Sequence, residues 1–343
     1  MYLSNHEAIT KSYTIIQELP SGFLGPSVIV KHKASEEVRV CKICHKHFIG
    51  GPEQVESFKQ HISRLNSLNL SFVVPYVDII ENESDLYIFR KYVEFGSLTD
   101  FVNFSSNMSN SDVKHIFGIV VKNFIQLHQN RIFPCSIKPS NIFIDSSESI
   151  LITDLYVLTS DISWAMQTAD PMQLAFLAPE FFDRSANPSS YSDIWSLGTL
   201  LFYLRSRTLP WPTKNVCMMI KNITMAHFTI PCFLEQSPEF DWIMNQCINR
   251  SAEARPIIED LLNPKIIRKC KSRTGSVPLP YKLGQSAQML IKPESRKASV
   301  FLHYGAMANS ERRRKRQLSS GSISTSSYTI RCRFIRPDSD NND

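Results

Sequence analysis

No run of about 18 apolar residues occurs in the 343-residue sequence, so no transmembrane helix is expected. Met1 to Lys11 lacks the apolar core of a secretory signal, which points to a cytoplasmic or nuclear protein. The eight cysteines show no regular framework and read as reduced thiols rather than a disulfide scaffold. No internal repeat is visible. One cluster, Cys41-Lys42-Ile43-Cys44-His45-Lys46-His47, has ligand types suited to zinc or haem. Alternating strand residues point to opposite faces, however, and no second Cys/His pair follows at finger spacing, so the cluster reads as a strand end. What is present is an ordinary globular core composition, 43% hydrophobic, and an uneven charge. Of 38 Lys/Arg, 14 lie from Lys271 onward against 5 of 32 Asp/Glu, so a near-neutral body carries a basic tail.

The patterning changes along the chain. Tyr13 to Ile43 reads as strands, with β-branched runs at Val28–Val30 and Val38–Cys41 around a polar turn at Lys31–Glu37. Gln54 to Leu68 spaces Val55, Phe58, Ile62 and Leu65 as one helical face. Phe72–Val74 and Leu86–Phe89 read as further strands. Ser111-Asp112 reads as the cap of a helix carrying Ile116, Ile119, Val120, Phe124 and Leu127. Ile142–Ile144 and Ile150–Ile152 flank a short turn and read as a hairpin. Asp193 to Leu204 is apolar nearly all round, as a helix buried inside a lobe would be. Shorter helices are expected at Val216–Ala226 and Phe240–Cys247. The expected fold is therefore α+β, a small β-rich lobe preceding a larger helical one.

Certain residues stand at informative distances. Leu19-Pro20-Ser21-Gly22-Phe23-Leu24-Gly25 places two glycines in a turn between strands, and Lys42 follows Gly25 by seventeen residues. Ile137-Lys138-Pro139-Ser140-Asn141 precedes Thr153-Asp154-Leu155-Tyr156. Phe176-Leu177-Ala178-Pro179-Glu180, Ser192-Asp193-Ile194-Trp195-Ser196-Leu197-Gly198 and Glu253-Ala254-Arg255-Pro256 follow in order. Singly each has a plain reading: a β-turn, a solvated strand lysine, polar residues at strand ends. In this order the motifs resemble the eukaryotic protein kinase family, Ser/Thr branch, over about Tyr13 to Lys269.

The resemblance implies a bilobal fold, with an N-lobe at about 13–92 and a C-lobe at about 93–269. It implies that Gly22, Gly25 and Lys42 approach ATP phosphates, that Lys138 contacts the transferring phosphate, and that Asn141 and Asp154 hold Mg²⁺. It also implies that Asp193 anchors the catalytic loop and that Arg255 pairs with Glu180. The departures are as specific. Ser136 stands where the family has its catalytic aspartate, and a hydroxyl is no base at neutral pH. Pro134 replaces the histidine of that motif, Tyr156 a mobile glycine, and Pro20 the first loop glycine. His61 stands where the helix glutamate that pairs with Lys42 belongs. Val40 would crowd a purine. Arg90 falls at the gatekeeper position, where either an acid such as Asp154 pairs with it or the register slips by one. Met172-Gln173 replaces a Gly-Thr pair in a segment, Leu155–Leu177, that resembles an activation loop. The chain thus resembles a pseudokinase binding Mg-ATP weakly and acting on protein partners, an active kinase among them. The alternative is a divergent but active Ser/Thr kinase.

From about 270 to 343 the periodicity fades and a mostly disordered tail is expected. Arg296-Lys297-Ala298-Ser299 and Arg316-Gln317-Leu318-Ser319 place arginine three residues before serine, as basophilic kinases favour. Arg312-Arg313-Arg314-Lys315-Arg316 reads as a nuclear signal, a contact for anionic surfaces, or a solvated run.

Overall fold

Strand alternation builds a five-stranded antiparallel sheet in the order β1-β2-β3-β5-β4. The strands are β1 (Tyr13–Gly22), β2 (Gly25–His32), β3 (Val38–His45), β4 (Tyr76–Glu81) and β5 (Asp85–Lys91). The computed structural model describes residues 7–105, 108–135, 137–146, 149–156, 171–183, 189–232, 234–235 and 237–262. Ser136, Ser299, Ser319, the Arg312–Arg316 run and the tail lie outside the described residues.

The two sheet faces bury different cores. Val28, Val30, Cys41, Ile43, Tyr87 and Phe89 form one apolar layer with Ile9 and Tyr13. Cys44, Leu86 and Ile88, on the opposite face, join the large core that runs on into the helical lobe. The Cys/His cluster is thereby divided, with Cys41 and Cys44 facing opposite cores. Burial pushes both thiols up, Cys44 to about 12. Among the described residues no group of His, Cys, Asp and Glu is placed to hold a metal.

Two short helices, α1 (Glu7–Thr10) and α2 (Lys46–Ile49), flank this sheet, and the long α3 (Pro52–Ser67) buries Val55, Phe58, Ile62 and Leu65 against it. Phe72–Val74 does not join the five-stranded sheet. Instead Val73 bridges Ile152 in parallel, and the Ile152 amide donates to the Phe72 carbonyl at 2.7 Å. Three apolar residues carry no information about which ladder they complete, and here the hairpin β6 (Ile142–Ile144) and β7 (Ile150–Ile152) took them.

The helical lobe contains α4 (Leu98–Phe104), α5 (Asn110–Gln129), α6 (Pro171–Leu174), α7 (Ser190–Ser206), α8 (Val216–Thr224) and α9 (Pro238–Cys247). The cap of α5 is Ser109, not Ser111. Its hydroxyl accepts from the Asp112 amide, while the Asp112 carboxylate accepts from the Ser109 amide, a reciprocal box that Ser111 cannot form with its neighbour. Helix α7 is buried on nearly every side, as its apolar circumference requires. Among the described residues no helix is long and apolar enough to cross a membrane.

Candidate active site

The cleft forms where β1–β3 of the sheet meet the end of β7. On β3, Val40, Lys42 and Cys44 share the cleft face. On β5, Lys42 pairs with Ile88 and Val40 with Arg90, which sets Lys42 and Arg90 diagonally on one face. Asp154 follows β7 with φ of 61°, a left-handed conformation that turns its carboxylate back toward the sheet. Its Oδ2 lies 2.7 Å from Lys42 Nζ, and its Oδ1 lies 3.6 Å from Arg90 Nε. The Tyr156 hydroxyl donates to Oδ1 at 3.3 Å. Burial works to raise the Asp154 carboxyl, but the Lys42 and Arg90 charges outweigh it and hold the group below the ordinary carboxylate range. Arg90 therefore keeps its register and pairs with Asp154, the first of the two readings its position allowed.

The segment after Asp154 is fixed from α3. His61 donates from Nε2 to the Leu155 carbonyl at 2.8 Å, and burial pushes its imidazole toward the neutral form. The family's glutamate would take Lys42 as partner from this helix; here Asp154 takes it and the helix residue turns to the backbone instead. Tyr156 is buried between Phe58 and Tyr76, with ring centroids 5.4 and 6.1 Å away, and Lys42 Nζ lies 5.3 Å from its ring centre. A glycine at 156 would leave that slot empty.

Gly22, Gly25, Lys42, Lys138, Asn141 and Asp154 line one cavity, together with Phe23, Leu24 and Tyr156. The fold thus brings the candidate site residues together apart from Ser136, which lies outside the described residues. The remaining space is about 30 Å³, room for about one water, where a drug-sized ligand needs roughly 300 Å³ or more. Phe23, at the tip of the β1–β2 hairpin, is buried in the cleft with its ring 5.9 Å from Lys138 Nζ. Gln173, in α6, donates to the Ser21 carbonyl and ties the hairpin to the helical lobe. Neither Phe23 nor Gln173 has a sequence signal for this role beyond an apolar residue at a turn and an amide where threonine is usual. As arranged, these residues suit a magnesium–nucleotide poorly: both Asp154 oxygens face protein cations, and Phe23 lines the phosphate end beside Lys138.

Gly25 is required by the hairpin itself. Its φ is 142°, and a Cβ there would stand 2.2 Å from the Ile43 carbonyl oxygen. At Gly22 a Cβ would meet nothing closer than Lys42 Nζ at 3.4 Å. Gly25→Ala is expected to cost about 1–3 kcal/mol and to unpair the hairpin tip, whereas Gly22→Ala is tolerated. Hydrogen exchange of the β1 and β2 amides reads this directly; equal protection in the two variants would contradict it.

Deeper in the lobe the scaffold is complete. Asp193 accepts from the Cys135 amide at 2.7 Å and from His128 Nε2 at 2.9 Å, which holds Cys135 at φ of 59° beside position 136. Glu180 and Arg255 form a bidentate pair, Nη1–Oε1 and Nη2–Oε2 both 2.8 Å.

A sheet lobe, a helical lobe, and this cleft between them lead to one comparison. The protein kinase domain model matches residues 13–267. The chain belongs to the protein kinase domain family. Among curated relatives it is 23% identical over 234 residues to the serine/threonine protein kinase OSK3 of Oryza sativa subsp. indica, covering 67% of this chain and 45% of that protein. It is also 23% identical over 272 residues to the maternal embryonic leucine zipper kinase of Danio rerio, covering 78% of this chain and 40% of that protein. This kinase domain chain thus spans less than half the length of the relatives it matches. Kinase domains in general use ATP and Mg²⁺.

Proposed function

We propose that this kinase-fold chain transfers phosphate weakly or not at all, and that it works as a scaffold or allosteric regulator of a protein partner in signalling. The domain we assign runs from 13 to 269, with a basic tail from 270 to 343. The observation that carries the reading is the Asp154 carboxylate, the family's metal holder, bound at 2.7 Å by Lys42 and faced at 3.6 Å by Arg90. Ser136 at the base position adds to it, since positioned acid–base help contributes about 10²–10⁴-fold. Weak Mg-ATP binding, which Lys42, Asn141 and Asp154 favour, belongs to this reading, with the cations facing Asp154 working against it.

A divergent active kinase is the second reading, favoured by the convergence of Lys138, Asn141 and Asp154 on one cavity below Gly22 and Gly25. Transfer of labelled γ-phosphate from ATP to a generic Ser/Thr protein substrate separates the two. Wild type is expected to match Asp154→Asn at background. Transfer tenfold or more above that control would make the chain an enzyme.

A further inference from the structure

Arg90 is 7% exposed, and its Nε has no hydrogen-bond partner among the described residues. Its Nη1 donates to the Lys91 carbonyl at 3.2 Å, and its facing anion is Asp154. A buried guanidinium needs a compensating charge, because desolvation penalises an unpaired cation heavily. Asp154 needs cations for the same reason, being buried itself. The three groups form a closed set: Lys42 takes Oδ2, Arg90 faces Oδ1, and the Tyr156 hydroxyl fills the remaining approach to Oδ1. A divalent ion on this carboxylate would have to enter beside two fixed positive charges. A nucleotide base entering along β5 would meet Arg90 opposite Val40 at the wall.

We propose that Arg90 is the built-in counter-ion of Asp154 and the residue that excludes a divalent-cation–nucleoside triphosphate complex from this cleft. The inference deepens the reading of the chain as a kinase fold without efficient transfer and rests on it. Removing the guanidinium takes one of the two cations off Asp154 and, among the described residues, leaves Oδ1 with the Tyr156 hydroxyl alone at 3.3 Å. Asp154 Oδ1 and the Asn141 side chain then supply hard oxygen ligands, and Lys42 and Lys138 face a polyphosphate.

The test is calorimetric titration of the full chain with magnesium–ATP, using wild type, Arg90→Met and Arg90→Thr, with folding checked by circular dichroism. Wild type is expected to give no saturable heat, and the variants are expected to bind at least tenfold more tightly. A wild type that binds as well as folded Arg90→Thr overturns the proposal, as do folded variants that gain nothing. Should both variants unfold, the melting temperature of Asp154→Asn decides. Loss of the counter-ion is expected to lower it by several degrees, with or without excess magnesium. An unchanged melting temperature, or a wild type stabilised by magnesium, overturns the proposal. The two outcomes stay distinguishable: phosphate transfer by wild type sinks both readings, whereas a silent wild type that binds magnesium–ATP sinks this one alone.

Discussion

Arg255→Met is expected to lower the melting temperature of the kinase domain by roughly 10 °C. Arg255 is 3% exposed and binds Glu180 through two parallel hydrogen bonds of 2.8 Å. It also donates from Nη1 to the Tyr191 carbonyl at 2.8 Å and from Nε to the Asn249 carbonyl at 2.9 Å, with its guanidinium 5.2 Å from the Trp195 ring centre. One side chain therefore joins the turn at Pro179–Phe181, the start of α7 and the loop after α9. Methionine fills some of the volume but leaves the Glu180 carboxylate buried with the Ser192 hydroxyl, 2.6 Å away, as its remaining side-chain donor among the described residues. Breaking one side of a buried pair costs about 3–5 kcal/mol, and a domain of this size loses roughly 2–4 °C per kcal/mol. Replacing both partners, Arg255→Met with Glu180→Met, is expected to recover much of the loss, because no buried charge is then stranded.

The pH dependence carries the same signature. Burial works to raise the Glu180 carboxyl, yet the Arg255 hydrogen bonds and charge hold it below its ordinary value of 4.5. A depressed folded pKa means that the stabilisation is present above the unfolded value and is lost as pH falls through the folded one. The gap between wild type and Arg255→Met should therefore narrow in acid, below the ordinary glutamate range. Melting curves at neutral and acid pH measure it; a gap of constant width would show that packing, not charge, sets the loss.

Two of these contacts were legible through the resemblance to kinases, which implies the Glu180–Arg255 pair and the Asp193 anchor, while Arg90 was left between two readings. Glu180 and Arg255 meet, Asp193 reaches the backbone at Cys135, and Arg90 falls beside Asp154. The sheet was legible through its alternation, except at Phe72–Val74, where three apolar residues suit either of two ladders. The α5 cap was placed two residues late, because Ser109 and Ser111 are equivalent letters and only the Asp112 partner at three residues distinguishes them. The filling of the cleft was not legible. Phe23 turns inward by tertiary packing at a hairpin tip, and His61 chose a backbone carbonyl, a partner that no residue pattern encodes. Val40 and Pro20 pointed to a poor nucleotide site but not to a side chain inside it.

Asp193→Ala is expected to be nearly as damaging as Arg255→Met, while Asp193→Asn is expected to be mild. Asp193 is fully buried at the start of α7 and receives two donors, the Cys135 amide and His128 Nε2, at 2.7 and 2.9 Å. Alanine orphans both and opens a void, and hydrogen bonds to a charged group are worth about 1.5–3 kcal/mol each. Cys135, at φ of 59°, is held in a conformation that a non-glycine residue rarely adopts, so the loop beside position 136 is expected to relax first. Asparagine keeps the carbonyl oxygen for the Cys135 amide and removes a charge whose burial raises the Asp193 carboxyl despite the His128 hydrogen bond. With a raised folded pKa, the contribution of the protonated form is complete below the unfolded value and is lost as pH rises through the folded one. Wild type should therefore lose stability relative to Asp193→Asn as pH climbs through that range. Hydrogen exchange at the Cys135 amide distinguishes the two variants: protection is expected to survive in Asp193→Asn and to vanish in Asp193→Ala. If both variants lost it equally, the carboxylate charge rather than the geometry of its oxygens would be what holds the loop.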